Sequence, residues 1–295
     1  MTETINDLYM SLRRRFREAE LPMPSLEARE LTAAAAGVDK RQTANWGHIY
    51  LTEATVARAE ELADRRLRGE PLAYLLGEWD FCGLTLKVTK DVLIPRSDTE
   101  RLCELAIGQA QKVVNPRVLD LCCGSGCIGV ALLKNVEDAR VVAVDVSEEA
   151  LAVTRENAYR CGVSSRHIAL RGDALAAPDE RLGHFHLLVC NPPYITAEEM
   201  CGLDRDVRDY EPVLALFGGD DGLDFYRSIA ARWKDALLPG GMALFECGYR
   251  QYSQVAGILE EHGWRAIDIQ EDLSGVLRIV TGVRPDEPEG HEPME

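Results

Sequence analysis

Seven short apolar segments recur between residues 117 and 282, and segments with helical periodicity separate them. Apolar runs of about six residues are typical of buried strands. Their alternation with helices predicts an α/β fold with a doubly wound, mostly parallel sheet of seven strands. Ligands of such sheets bind beyond the carboxyl ends of the strands, where we therefore look for functional residues. The predicted strands are 117–122, 141–146, 167–172, 185–190, 242–247, 265–270 and 277–282.

A different pattern precedes this region. Apolar residues at helical spacing predict three helices, the first over about 5–19, the second from about Ser25 to Gly37, and the third from about Thr52 to Gly69. After Trp79 the apolar period changes to two, which indicates a β-hairpin with a turn at Cys82 and Gly83. The predicted boundaries are a helical domain at 1–77, a hairpin connector at 78–97, an α/β domain at 98–284 and an acidic, disordered tail at 285–295.

The charge of the chain is strongly negative, at −16. Residues 1–77 carry 11 Lys and Arg against 12 Asp and Glu, so −15 of this charge lies in residues 78–295. A surface that binds nucleic acid stably needs clustered cations to displace the counterions of phosphate, so we expect no nucleic-acid partner.

No apolar run reaches the ~18 residues that a membrane span requires, and no export signal precedes the first helix, so we expect no membrane association and a cytoplasmic location. The nine cysteines form no CxxC pair. This argues against a zinc site and a disulfide framework, and we expect no bound metal and reduced thiols.

A glycine-rich turn, DLCCGSGCIG, follows the first strand of the α/β domain. Gly124, Gly126 and Gly129 match GxGxxG, and Asp145 follows the second strand at the distance expected of a ribose-binding acid. The order of strand, turn, helix and acid predicts a nucleotide-type ligand, and it fits NAD and S-adenosylmethionine equally. Ser147 is expected to cap the helix at 147–160.

Two further acids favour S-adenosylmethionine. Asp120 directly precedes the turn, where its carboxylate could bind a cationic amino group, and Asp173 ends the third strand, where it could accept from an adenine amine. A pyrophosphate would instead require donors and cations.

The fourth strand ends in Asn191, Pro192, Pro193 and Tyr194. Two prolines stop the strand and stiffen the backbone. The Asn191 side-chain oxygen and the Pro192 carbonyl could then accept both N–H groups of a planar NH₂ group, and the Tyr194 ring could pack over its plane. Methyl transfer from a sulfonium creates no net charge, so positioning suffices and no strong base is needed. The clamp by itself fits a glutamine side chain and adenine equally.

The sequence resembles the protein-(glutamine-N5) methyltransferases that act on peptide chain release factors, the PrmC/HemK-like family. The segments that carry the resemblance are 77–100 with IPRSDTE, 118–133, 141–158, 186–195 with NPPY, 206–229 with YEP and GGDDGLDFY, and 245–251 with FECGYRQ. The resemblance implies a class I, Rossmann-like methyltransferase domain that uses S-adenosyl-L-methionine, an N-terminal helical domain that helps to bind the release factor, and a connecting hairpin. The implied reaction is methylation of the glutamine of a Gly-Gly-Gln motif.

The resemblance also assigns residues. The turn residues Cys122, Cys123, Gly124, Ser125 and Gly126, together with Asp145 and Asn191, would contact the cofactor, and Asn191 to Tyr194 would contact the substrate glutamine. Ala174 is a candidate for the adenine wall. Cys122 stands where glycine is commoner, which argues against a need for positive φ at this position. The loop 206–222 is a lid, a connection or a substrate contact, and the resemblance favours the last.

Four other functions are open to this sequence. A methyltransferase for a glutamine of a ribosomal protein shares the clamp, and an adenine-N6 methyltransferase shares NPPY, although the acidic α/β domain opposes the latter. An NAD-dependent oxidoreductase would leave NPPY unexplained. A binding module without turnover is the fourth alternative.

Overall fold

The computed structural model describes residues 3–286, so residues 287–295 of the predicted acidic tail lie outside the described part. The chain divides into two compact units. One comprises Met1–Glu78 and Asp204–Tyr210, and the other comprises Trp79–Leu203 and Glu211–Glu295.

Helices make up the first unit over the residues that the structure describes. The first helix, α1, begins with a capping box in which Thr4 accepts from the Asp7 backbone N–H, and it buries an apolar stripe. The second helix ends at Gly37 in the left-handed conformation, as its position in the sequence predicts. The helices are α1 Ile5–Glu18, α2 Pro24–Ala36, α3 Glu53–Leu67, α4 Leu72–Leu76 and α9 Arg205–Tyr210, with a 3₁₀ helix at Thr43–His48.

A buried ion pair joins two helices of this unit. Arg66 of α3 donates to both carboxylate oxygens of Glu27 of α2, at 2.6 and 3.3 Å, and both side chains are almost fully buried. The bidentate geometry supplies the charge compensation that a buried carboxylate needs.

The second unit contains a two-stranded hairpin and one large sheet of seven strands among its described residues. The hairpin turns through Cys82 and Gly83, both at positive φ, as the sequence predicts. The strands are β1 Glu78–Phe81, β2 Leu84–Lys87, β3 Arg117–Leu121, β4 Arg140–Asp145, β5 His167–Arg171, β6 Phe185–Cys190, β7 Leu237–Glu246, β8 Arg265–Glu271 and β9 Leu277–Val283. The helices are α5 Ser97–Ala110, α6 Cys127–Asn135, α7 Glu148–Arg160, α8 Ala197–Gly202, α10 Asp224–Arg232 and α11 Tyr252–Glu261.

The large sheet has the order β5-β4-β3-β6-β7-β9-β8. Strands β3 to β7 run parallel, and β9 is antiparallel to both β7 and β8. The strand order reverses between β3 and β6, which creates a crevice at the carboxyl ends of these two strands. The predicted seven-stranded, doubly wound class I fold is confirmed.

One predicted strand was too short. Strand β7 begins at Leu237 rather than at residue 242, because Phe185 pairs with Leu237 and Leu187 pairs with Met242. The extra residues form an irregularity that contains Pro239, and such interruptions tolerate a proline that a regular central strand would exclude. Helix α7 begins as predicted, and the Ser147 hydroxyl accepts from the Ala150 N–H.

Candidate active site

The crevice at the switch point of the sheet opens into a cavity of about 490 Å³. This volume lies within the ~300–1,000 Å³ that is usual for small-molecule sites. Nine predicted site residues line it: Cys122, Cys123, Gly124, Ser125, Asp145, Asp173, Ala174, Asn191 and Pro193. The sheet topology therefore brings together residues that lie up to about 70 positions apart in the sequence.

The glycine turn is held by side chains from the helix that follows β4. Thr154 donates to the Gly124 carbonyl at 2.8 Å, and the buried Asn157 donates to the Ser125 carbonyl at 2.9 Å. At Gly126, φ is +75°, and an added Cβ would lie 2.8 Å from the Thr154 methyl carbon. Only glycine fits there without strain, which explains this position of the motif. Gly126 itself is absent from the cavity wall that the structure describes.

Cys122 adopts a conformation that glycine usually takes. Its φ is +58°, in the left-handed region, although it carries a side chain. The cysteine argued against a need for positive φ at this position, and the structure shows a positive φ without glycine. The turn must reverse directly after β3, and the bonds that anchor it on both sides impose this conformation despite its cost.

Asp145 occupies the end of β4 beside the turn. Its two carboxylate oxygens accept from the backbone N–H groups of Gly124 at 2.9 Å and Ser147 at 3.0 Å. Burial raises the pKa of Asp145, and these backbone bonds oppose the shift. Each carboxylate oxygen can accept a second bond, so the group retains capacity for a pair of hydroxyl donors.

Asp120 lies away from the cavity wall. Its carboxylate is fully buried and accepts from the Gly129 N–H at 2.9 Å. Burial raises the pKa of Asp120 to about 7, which the Gly129 hydrogen bond counteracts and the nearby Asp145 reinforces. The structure therefore assigns Asp120 to bracing the start of α6 behind the turn. This bond uses one carboxylate oxygen, so the expected contact of Asp120 with a ligand amino group stays a prediction.

The described cavity wall fits S-adenosylmethionine by the chemistry of its polar groups. Carboxylates of Asp145 and Asp173 offer acceptors for hydroxyl and amine donors. The Ser125 hydroxyl also lines the cavity, and it is buried with no nitrogen or oxygen partner among the described residues. A ligand that supplies a polar group would satisfy it.

The Asn191 amide is anchored on its nitrogen side. Its Nδ2 donates to the hydroxyl of Thr99, at 3.2 Å, and both residues line the cavity. No described residue donates to the oxygen of this amide, so the oxygen is available to accept from a ligand. Thr99 belongs to the IPRSDTE segment, which the sequence marked as part of the family resemblance without a role for this residue.

Hydrogen bonds from Gln251 hold the chain that follows Asn191. Gln251 Nε2 donates to the Tyr194 carbonyl at 3.1 Å, and Gln251 Oε1 accepts from the Gly248 N–H at 2.9 Å. The Tyr194 ring packs against the apolar core beneath β6 and β7, and burial raises the pKa of its phenol above the usual value. Neither Tyr194 nor Pro192 lines the described cavity.

The segment 206–222 has two parts. Residues 205–210 form α9 in the first unit, whereas residues 211–222 lie in the second unit. There Ile195 pairs with Phe217 through two backbone hydrogen bonds, Ile195 N–H to the Leu216 carbonyl and Gly218 N–H to the Ile195 carbonyl, both at 2.9 Å. This part is thus a support for the Asn191–Tyr194 corner, and its Leu214 and Ala215 reach the cavity.

Several wall residues were not anticipated as site residues. They come from the connector after the hairpin and from the start of α5 and α10: Lys90, Asp91, Val92, Leu93, Pro95, Arg96, Thr99 and Phe225. Arg96 pairs with the buried Glu211 at 2.5 Å, which joins the IPRSDTE and YEP segments. Both segments carry the family resemblance in the sequence, and this ion pair gives them a shared structural role.

Among the residues that the structure describes, no helix is long and apolar enough to cross a membrane. Within the same residues, no cluster of three or more His, Cys, Asp or Glu side chains is arranged to hold a metal ion.

Comparison with known proteins identifies the family of the chain. Residues 7–77 match the model of the PrmC N-terminal domain, and residues 104–202 match the methyltransferase small domain. A release factor glutamine methyltransferase of Clostridium acetobutylicum is 39% identical over 74% of this chain and 77% of its own length. One of Koribacter versatilis is 34% identical over 96% of this chain and 99% of its own length.

Among solved structures, a methyltransferase from Pyrococcus furiosus covers 77% of this chain and 99% of its own, with a TM-score of 0.51 at 13% identity. This similarity supports the fold alone. The identities of more than 30% over most of both chains show more than the fold. The chain belongs to the release factor glutamine methyltransferase family.

Proposed function

We propose that this S-adenosylmethionine-dependent protein-(glutamine-N5) methyltransferase acts on the glutamine of the Gly-Gly-Gln motif of peptide chain release factors. The names of the relatives support this substrate. The observation that carries the proposal is the anchored Asn191 amide, because Thr99 occupies its nitrogen and leaves its oxygen to accept from a substrate NH₂ group.

The cofactor supplies an activated methyl group when it is bound. The turn residues Cys122 to Gly126, with Asp145, Asp173, Ala174 and Asn191, would hold it. Gly126 and Asp120 also shape the turn, and Asp145 offers acceptors to ribose hydroxyls. The acidic wall suits a ligand with amino and hydroxyl donors better than one with a pyrophosphate.

The substrate amide would be aligned by two acceptors. Asn191 Oδ1 takes one N–H and the Pro192 carbonyl takes the other, so that the nitrogen faces the methyl carbon. The two prolines and the Gln251 bond to the Tyr194 carbonyl keep this pair rigid. The packing of the Tyr194 ring over the substrate amide stays a prediction, because the ring contacts the core.

The N-terminal unit is proposed to recognise the release factor, which the match of residues 7–77 to the PrmC N-terminal domain supports. We also propose that the protein works in the cytoplasm. All nine cysteines are free, as suits a reducing compartment.

The function is tested by incubating the purified protein with labelled S-adenosylmethionine and a release factor, a ribosomal protein or DNA, each separately. We expect label in the release factor and none after its acceptor glutamine is replaced. Label in the ribosomal protein or in DNA alone would reject the substrate.

The clamp is tested with Asn191→Ala. This variant should lose turnover by a factor of about 100 or more and keep most of its cofactor affinity. Asn135→Ala is the matched control, because Asn135 bonds only within α6 in the described structure. Full activity of Asn191→Ala would contradict the clamp.

A further inference from the structure

A buried carboxyl group lies directly behind the Asn191–Thr99 pair. Glu246 ends β7 and is 2% exposed, and it is absent from the described cavity wall. Cys190 pairs with Phe245 across the parallel strands β6 and β7, so Asn191 and Glu246 are the next residues on adjacent strands. The main chain of Glu246 is fixed as well, because the Tyr226 hydroxyl donates to its carbonyl at 2.8 Å.

The Thr99 hydroxyl is bonded to the Asn191 amide, and Glu246 lies beside that amide on the adjacent strand. The Thr99 oxygen accepts from Asn191, so its own hydrogen is available for a different acceptor. Burial raises the pKa of Glu246 to about 7, and hydrogen bonding by Thr99, the charge of Arg278 and hydrogen bonding by Asn191 lower it, while Asp98 raises it. Thr99 and Asn191 are therefore the donors that favour the ionised carboxyl at this depth.

An asparagine amide can be rotated by 180° with little change in shape, which exchanges its oxygen and its nitrogen. Catalysis by the clamp requires one of these two orientations, with the oxygen toward the substrate. The ionised Glu246 carboxylate, which prevails above its pKa of about 7, can only accept hydrogen bonds, so it selects the Asn191 nitrogen and the Thr99 hydroxyl as the groups that donate toward it. A side chain that could also donate a hydrogen bond, such as glutamine, would permit the opposite orientation of the Asn191 amide.

We propose that Glu246 is a positioning residue for methyl transfer, which accepts from Thr99 and from the Asn191 nitrogen and so keeps the Asn191 amide oxygen turned toward the substrate nitrogen. This inference rests on the proposed function of Asn191. Glu246 does not line the cavity, and its Oε2 is buried without a hydrogen-bond partner among the described residues. The charges of Arg278 and Asp98 also act on this carboxyl, but neither residue has a hydrogen bond to the Asn191 amide in the described structure.

The experiment compares Glu246→Gln, Thr99→Val and the double variant. Glutamine keeps the shape of Glu246 but adds a donor, and valine keeps the shape of Thr99 but removes the hydroxyl. We expect each single change to lower kcat about 10- to 100-fold, the range for losing a hydrogen bond to a charged group. KM for the release factor and Kd for S-adenosylmethionine should change less than about threefold.

The double variant separates a relay from two independent effects. Residues that act in one relay lose their function together. The kcat of the double variant should therefore match the kcat of the less active single variant within about threefold. Thr99→Ser should restore most of the kcat that Thr99→Val loses. Thr32→Val is the matched control, because it removes a buried hydroxyl that has no partner among the described residues, and it should keep the wild-type kcat. The inference would be overturned if the double variant lost kcat by the product of the two single losses. It would also be overturned if both single variants kept the wild-type kcat.

A readout that does not need turnover distinguishes this inference from the proposed function. The side-chain NH₂ signal of Asn191, assigned through Asn191→Ala, should exchange slowly in the wild type and faster in both single variants. If Glu246→Gln does not fold, Thr99→Val carries this test. An unchanged exchange rate of the Asn191 signal in both variants would refute the relay. If the exchange rate changes but no release factor is labelled, the proposed function is refuted and the relay is not.

Discussion

The side-chain nitrogen of Gln251 lies 3.1 Å from the carbonyl oxygen of Tyr194 and donates a hydrogen bond to it. The same side chain accepts from the Gly248 backbone at 2.9 Å. One glutamine thus ties the end of β6 to the loop after β7, and it fixes the corner that presents Asn191. The bond lies on the protein side of the corner, so it supports the geometry of the site without forming its wall.

Gln251→Glu tests this support. Glutamate keeps the acceptor for Gly248 but replaces the donor to Tyr194 with a negatively charged oxygen, which the carbonyl repels. We expect a loss of kcat of about tenfold or more with little change in cofactor affinity, measured by methylation kinetics and calorimetric binding. Gln254→Glu serves as the control, because Gln254 is exposed in α11, the helix that begins directly after Gln251. Equal kcat in the two variants would contradict the role of Gln251.

Gly218 permits close contact between the supporting segment and the proline corner. A Cβ at this position would lie 2.6 Å from both the Pro193 oxygen and the Tyr194 Cα, which are backbone atoms that cannot rotate away. We expect Gly218→Ala to destabilise the protein by about 1–3 kcal/mol, as overpacking does, and to reduce methylation.

Gly108→Ala is the control for this change, because no atom lies within 4 Å of the added carbon in α5. Alanine favours a helix interior over glycine, so that variant should gain about 0.5–1 kcal/mol. The free energy of unfolding by urea measures both. Unchanged stability in Gly218→Ala would show that the corner can move.

Asp120→Asn should alter the pH dependence of stability. Burial raises the pKa of Asp120 to about 7 in the native state, against about 3.9 in an unfolded chain. Between these values the native state binds more protons, so the free energy of unfolding decreases as pH rises. Asparagine cannot ionise and can still accept from Gly129, so the variant should gain stability relative to the wild type between about pH 4 and pH 7.

The gain is limited to about 1.4 kcal/mol per pH unit for one group. Denaturation series across that range measure it, and Glu260→Gln removes an exposed charge of the same sign as a control. A constant difference between Asp120→Asn and the wild type across the range would mean that Asp120 is ionised throughout.

Arg66→Met should strongly destabilise the N-terminal unit. The change leaves Glu27 buried without its cation, for which a cost of about 3–5 kcal/mol is expected. The double variant Glu27→Gln/Arg66→Met removes both charges and should recover much of that loss. The midpoint of thermal unfolding of the full chain compares the stability of the wild type, Arg66→Met and the double variant. If the double variant is less stable than Arg66→Met, the buried charge is not the cause.

The sequence alone determined the order of strands and helices, because burial periodicity and caps are local properties. It also marked the part of the cavity wall that follows the parallel strands, because such strands deliver the residues after them to one edge of the sheet. The glycine turn, Asp145 and Asn191 were found in this way. The residues of IPRSDTE and FECGYRQ were marked without roles.

The tertiary structure decided the remainder. Local patterns do not show that Asp120 turns behind the loop, that Cys122 adopts a positive φ, or that residues 211–222 support the proline corner. Each outcome depends on contacts between segments that are far apart in the chain. Glu246 is the clearest case, since only the pairing of β6 with β7 brings an otherwise ordinary carboxylate behind the amide of Asn191.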